Sequence, residues 1–195
     1  MLISIHIWFN KQALGGKKYA LIDILDEKII DLEVEGTTKD EVLRNLSQRL
    51  LENDYITNVN DFVSDIYVRE AEGPTGMGNH ISIPHGKSDA VKKIGIAIGR
   101  TKNMIKWESS MSSDGFQDTN IIFLFCVSND NDFAANHMML LAELAGKLGN
   151  DARVAKLQDV TTKKELIDVI LNEPETGNSG DNQEDENFDV DINFS

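Results

Sequence analysis

Apolar positions recur along the chain with two periods. Val42, Leu46 and Leu50 return every fourth residue and place one apolar stripe on a helix. Thr38 opens that helix, because Thr38 and Glu41 have the spacing of a capping box. A second helix is predicted from Asn60, with Phe62, Val63, Ile66 and Tyr67 on its inner face, ending near Glu70 before Gly73 and Pro74. A third runs from about Asp132 to Leu148 and stops at Gly149, the position of a C′ glycine. A last helix begins at Thr162, paired with Glu165 in another capping box, and buries Leu166, Ile167 and Ile170. Strand-like runs lie at Tyr19 to Leu25, Lys28 to Leu32, His80 to Ile83, Ile94 to Ile98 and Asn120 to Val127. Ile121 to Val127 is apolar at every position, as a strand covered on both faces would be. Helices alternating with strands predict a single α/β domain. The helix pairs and adjacent short strands point to a central mixed β-sheet flanked by helices.

Length, charge and cysteine usage narrow this picture. The 195 residues suffice for one well-buried domain plus extra length. The body is expected over residues 19–171. Residues 1–18 form an N-terminal extension whose alternation of Ile3, Ile5, Ile7 and Phe9 with Ser4 and His6 suits a strand. Residues 172–195 hold eight acids and no Lys, Arg or His, and read as an acidic, disordered tail or linker. That segment carries −8 of the net charge of −14, leaving −6 for the rest. An acidic body argues against nucleic acid, whose phosphates are met by Lys and Arg, and favours a basic protein partner. No apolar run approaches the roughly 20 residues that span a bilayer, and the N-terminus lacks the basic flank of a signal peptide. The single cysteine, Cys126, allows no internal disulfide, sits in the most apolar strand and reads as core. These features suit a cytoplasmic protein. One cysteine and four scattered histidines do not form a zinc pattern, so no metal or organic cofactor is expected.

The candidate chemistry centres on Ile83-Pro84-His85-Gly86-Lys87. Proline forces the residue before it into an extended conformation and offers no N–H, so the strand is expected to stop at Pro84. His85 then sits at or just past a strand end, where open α/β sheets place reactive groups. Gly86 permits close approach of backbone and phosphate, and Lys87 adds a cation. A neutral imidazole is a nucleophile when its other nitrogen keeps the proton, and phosphoryl transfer needs mainly positioning and positive charge. Against this stands the ordinary reading of a lone histidine as a partly exposed polar residue. The glycine-rich stretch Gly73 to Gly78 enters a strand, not a helix, and lacks the Walker spacing, which argues against a nucleotide site.

At this point the residues resemble a family. Arg69-Glu70 followed by Gly73-Pro74-Thr75-Gly76-Met77-Gly78-Asn79-His80-Ile81-Ser82-Ile83-Pro84-His85 is similar to the signature of fructose/mannitol-type enzyme IIA domains of the bacterial sugar phosphotransferase system. Ser82 stands where alanine is usual. The resemblance continues at His137-Met138-Met139-Leu140-Leu141-Ala142-Glu143-Leu144 and spans about Tyr19 to Leu171. It implies a mixed sheet flanked by helices, with His85 phosphorylated by the phosphocarrier HPr and discharging to a cysteine of an enzyme IIB component. The membrane enzyme IIC is then an indirect partner. It implies that Arg69 and His137 stabilise the phosphoryl group, with Thr75, Gly86 and Lys87 in the phosphate neighbourhood. Each has a plainer reading. Arg69 closes a helix, where a cation complements the dipole. His137 shares a helix side with Leu140, Leu141, Leu144 and Leu148 and could be a core-edge residue. His80 reads as structural or peripheral. Lys102 to Asp118 matches weakly and reads as a variable loop.

The same site serves two roles that motifs do not separate. One is a carrier in sugar uptake. The other is a regulatory protein whose His85 phosphorylation controls binding to a partner protein. Sugar identity and oligomeric state are not readable from this sequence.

Overall fold

The computed structural model describes residues 19–129 and 134–172. The strand expected within residues 1–18 and all but Asn172 of the acidic tail lie outside the described residues.

Two 3-10 turns, Leu21–Ile24 and Glu27–Ile29, open the described chain. The strands are β1 (Ile30–Val34), β2 (Ile81–Ser82), β3 (His85–Ser88), β4 (Gly95–Glu108) and β5 (Phe116–Ser128). The helices are α1 (Lys39–Glu52), α2 (Val59–Glu70), α3 (Ala134–Leu148), α4 (Asp151–Asp159) and α5 (Lys163–Leu171). The sheet order is β1-β4-β5-β2, and β3 also pairs with β5. Only β4 and β5 pair antiparallel; β1, β2 and β3 each join their neighbour in parallel. The expected α/β domain with a mixed sheet flanked by helices is therefore what forms.

The sheet is covered on both faces. One apolar cluster joins Ile121, Phe123, Phe125 and Val127 to Leu140, Leu144 and Leu148 of α3, Leu157 of α4, and Leu166 and Ile170 of α5. The other joins Ile122, Leu124 and Cys126 to Val42, Leu46 and Leu50 of α1 and Phe62, Val63 and Ile66 of α2. Strand β5 is thus buried by alternate residues on opposite sides, which explains its unbroken apolar run. The Thr38–Glu41 capping box forms in both directions at the start of α1. At α5, Thr162 accepts from Glu165 N, but the Glu165 carboxylate reaches back to Thr161 N instead of Thr162.

Several expectations give way. Tyr19 to Leu25 is not a strand: Asp23 accepts the Ala20 N–H and closes a 3-10 turn with Leu21 and Ile24 turned inward. Helix α2 begins at Val59, because the Asn58 side chain accepts from both Asn60 and Asp61 N–H groups. Tyr67 lies at the exposed edge of α2, with Lys39 Nζ 5.8 Å from its ring centroid. The supposed variable loop, Lys102 to Asp118, is largely a hairpin, with Ile105 opposite Thr119 and Trp107 opposite Gln117. Ile105 and Trp107 point inward and are fully buried, while Met104 and Lys106 face out. Helix α4 escaped notice because it is short. Asn150 caps it through Arg153 N, and Val154 and Leu157 are its buried stripe.

The strand stops before Pro84, as expected, but a second one resumes at His85 in the same register. β2 pairs Ile81 with Ile121, and β3 pairs His85 with Phe125, so the register carries through the proline unchanged. Pro84 donates nothing, but its carbonyl accepts Phe125 N–H at 3.0 Å. A proline is tolerated there because the segment is a sheet edge.

Gly86 is required by helix packing. A Cβ at this position would meet the Asp65 carbonyl oxygen at 2.8 Å, its carbon at 3.1 Å and Ile66 Cα at 3.2 Å. All three are backbone atoms of α2, so relief requires moving the helix. Gly86→Ala is expected to lower stability by about 1–3 kcal/mol, as overpacking does. Equilibrium urea unfolding checks this, and an unchanged midpoint would show that α2 is free to shift.

Candidate functional site

His85 opens β3 at the sheet edge, and His137 lies in the first turns of α3 beside it. Their ring centroids are 5.9 Å apart, and His137 also stands edge-on to Phe125 at 5.9 Å. Because Phe125 is the β5 partner of His85, the sheet register itself brings the two histidines together. From the other side, Arg69 approaches on the last turn of α2.

These residues line a cavity of about 580 Å³. Helix α2 and the turn after it contribute Asp65, Val68, Arg69 and Glu72; β3 contributes His85, Gly86 and Lys87; α3 contributes His137, Met138 and Leu141. Of the residues singled out in the sequence, His85, Arg69, His137, Gly86 and Lys87 meet here. Thr75 does not line the cavity. It is buried behind it, its hydroxyl donating to Glu70 and accepting from Trp107 Nε1 at 3.1 Å. His80 lies apart, its ring Nδ1 on the Asp118 carbonyl at 2.9 Å and its own carbonyl on Asn120 and Ile121 N–H. Cys126 is fully buried, and burial pushes its thiol far up, so it is inert core.

The tautomer of His85 follows from its contacts. Nδ1 lies 2.8 Å from the Ile83 carbonyl oxygen, which can only accept. Nδ1 therefore carries the proton in the neutral ring, and Nε2 keeps the lone pair. Burial lowers the pKa of His85 from its ordinary value, opposed by the Ile83 hydrogen bond and reinforced by Arg69. The ring is neutral and nucleophilic near pH 7.

His137 is more strongly perturbed. It is 6% exposed, and its Nε2 has no hydrogen-bond partner among the described residues. Burial, with the nearby His85 and Lys87, pushes its pKa down to about 4. An unsatisfied buried nitrogen costs free energy, and such orphans are characteristic of functional sites. The Arg69 guanidinium donates to the Gly73 carbonyl at 3.2 Å, and among the described residues it pairs with no carboxylate. An anion in the cavity thus finds Arg69, the exposed Lys87 and an unpartnered imidazole. Among the described residues no group of three His, Cys, Asp or Glu side chains is placed to hold a metal ion.

Sequence reasoning overlooked Asp65, Val68, Glu72, Met138 and Leu141. The signal was present, since Asp65, Arg69 and Glu72 follow a helical spacing of four and three, and His137 and Leu141 are four apart. Choosing that face over the others required knowing where β3 lies.

A family model described as the phosphoenolpyruvate-dependent sugar phosphotransferase system, EIIA 2, matches residues 23–173. A mannosylglycerate-specific EIIABC component of Escherichia coli is 31% identical over 139 residues, 71% of this chain and 20% of that protein. The chain thus spans about a fifth of that relative's length. A fructose-like EIIA component of the same organism is 28% identical over 149 residues, covering 76% of this chain and 95% of its own. Among solved structures, the nitrogen regulatory protein IIA-Ntr of Neisseria meningitidis superposes with a TM-score of 0.67 at 26% identity, covering 77% of this chain and 99% of that one. The fold and site define a phosphotransferase-system component. The chain belongs to the EIIA type 2 family, the fructose/mannitol kind, and its role is that of a phosphocarrier. Among the described residues no helix is long and apolar enough to cross a membrane.

The low pKa of His137 makes stability pH-dependent. The unfolded chain binds that proton near the ordinary histidine value of 6.5, the folded one only at about 4. Stability from this group is complete above pH 6.5 and is lost as the pH falls towards 4. The parent should lose on the order of 2–3 kcal/mol more than His137→Gln across that window. Urea midpoints of both proteins at successive pH values test this, and parallel curves would refute it.

Proposed function

We propose that His85 accepts a phosphoryl group from phosphorylated HPr and passes it to the cysteine of an enzyme IIB component. The observation that carries this is the Nδ1–Ile83 carbonyl bond, which leaves Nε2 as the nucleophile at the cavity. In the forward step the Nε2 lone pair attacks phosphorus, and the P–N bond of the donor breaks with its electron pair returning to the donor imidazole. Nδ1 keeps its proton on the Ile83 carbonyl throughout, so no proton need leave His85. Discharge runs the same way, with the P–N bond to Nε2 breaking as a P–S bond forms.

Arg69 and His137 stabilise the equatorial oxygens, with Lys87 adding charge at the rim and the Gly86 position keeping β3 close under α2. Donation from the His137 Nε2–H tautomer to a phosphoryl oxygen would satisfy the nitrogen left unpartnered in the free protein. The name of the mannosylglycerate relative joins A, B and C components in one chain, which supports IIB and IIC as the onward partners. A cytoplasmic setting fits such a carrier.

A second reading is favoured by the likeness to a protein named for nitrogen regulation. In it, phosphorylation of the same histidine changes binding to a partner protein, and no sugar is moved. Incubation with phospho-HPr should add one acid-labile phosphate to the parent and none to His85→Ala. Equal labelling of both would overturn the assignment. Transfer onward to an enzyme IIB domain separates the readings, since the transport carrier discharges and the regulator holds its phosphate.

A further inference from the structure

Thr75 touches both halves of the site without lining the cavity. Its carbonyl accepts the Ile83 N–H at 3.0 Å, and the Ile83 carbonyl in turn holds His85 Nδ1 at 2.8 Å. Its hydroxyl donates to the Glu70 carboxylate, in the residue next to Arg69. A hydroxyl has one proton and two lone pairs. Here the proton goes to Glu70, and a lone pair accepts from Trp107 Nε1 at 3.1 Å.

The surroundings make these bonds matter. Thr75 is 6% exposed, Trp107 is fully buried and the Glu70 side chain is 6% exposed. The second Glu70 oxygen is held by Lys39 Nζ at 2.9 Å, and that ammonium lies 4.7 Å from the Trp107 ring centroid. With one oxygen on Thr75 and the other on Lys39, the carboxylate has no call on the adjacent guanidinium. Arg69 is left donating to the Gly73 carbonyl, beside the cavity, and forms no ion pair with a carboxylate among the described residues. Removing the hydroxyl would strand Glu70 Oε1 and Trp107 Nε1 together in a buried site, where an unpaired carboxylate oxygen is costly and must find another donor, the adjacent Arg69 guanidinium being one.

We propose that Thr75 is a positioning residue for phosphoryl transfer, locking Glu70 away from Arg69 while fixing the strand that aims His85. This rests on the reading that His85 is the phosphoryl acceptor. Thr75 itself touches no phosphate. Its action runs through Arg69 on one side and through Ile83 on the other, and only the first depends on the hydroxyl.

The test measures phosphoryl transfer from phospho-HPr to the full chain, resolving kcat from KM. For Thr75→Val, kcat is expected to fall roughly 10- to 100-fold, the scale of a misplaced stabilising group, while KM stays within about threefold. Thr75→Ser should restore kcat to within about threefold, because the hydroxyl returns. In an Arg69→Gln background, Thr75→Val should cost nothing further, since its route is already cut. The Thr75→Ser and Thr75→Ala pair, which differs by the hydroxyl alone, repeats the comparison if valine is not accommodated. A folded Thr75→Val or Thr75→Ala with the parent's kcat overturns the inference, as does a loss that multiplies in full with that of Arg69→Gln. A parent that takes no phosphate overturns the phosphocarrier reading and this inference together. A labelled parent beside an unaffected variant overturns this inference alone.

Discussion

The parallel pairing of His85 with Phe125 is the constraint from which the site follows. It fixes His85 at the edge of β5, and the Phe125 ring on the same pair carries His137 edge-on at 5.9 Å. The motif's proline separates β2 from β3, yet both pair with β5 in one register, with no slip across Pro84. It removes one donor from an edge, where the loss is cheap, and leaves its carbonyl in the ladder. The neighbouring Ile83 then uses both of its polar groups off the ladder, N–H to Thr75 and carbonyl to the imidazole.

Burial shapes the electrostatics more than charge does. Desolvation is the leading reason that both imidazoles stay neutral, and each cation nearby deepens the effect. The cavity thus sets Arg69 and Lys87 beside two neutral histidines, with Asp65 and Glu72 also in its lining. A dianionic group at Nε2 would reverse the local balance, since a negative charge favours a proton on His137. The free protein keeps both imidazoles neutral, while Glu70 is satisfied by Thr75 and Lys39.

Much of this was legible along the chain. The capping box at Thr38, the stripe of Val42, Leu46 and Leu50, and the doubly covered strand from Ile121 to Val127 are local patterns, and local patterns survive folding. The extended pattern at Tyr19 to Leu25 misled because an apolar pair, Leu21 and Ile24, fits a 3-10 turn as well as a strand. The hairpin beyond Arg100 does not show in the sequence because its outward positions mix Met104 with polar Lys102, Lys106 and Glu108, and a bulge separates it from the core of β4. At Gly86 the structure shows close approach by the α2 backbone at Asp65 and Ile66.

By itself the sequence determined helices α1, α2, α3 and α5, the two-sided burial of β5, and the placing of His85 beside a glycine and a lysine. These depend on residues near one another in the chain, where periodicity, proline and capping act directly. Only the tertiary structure decided which nitrogen of His85 is tied to the Ile83 carbonyl, that His137 Nε2 has no hydrogen-bond partner among the described residues, and that the Thr75 hydroxyl serves Glu70 and not the cavity. Those outcomes join residues tens of positions apart, through a sheet register and a helix crossing. No local pattern encodes such contacts, because each depends on how many elements pack at once.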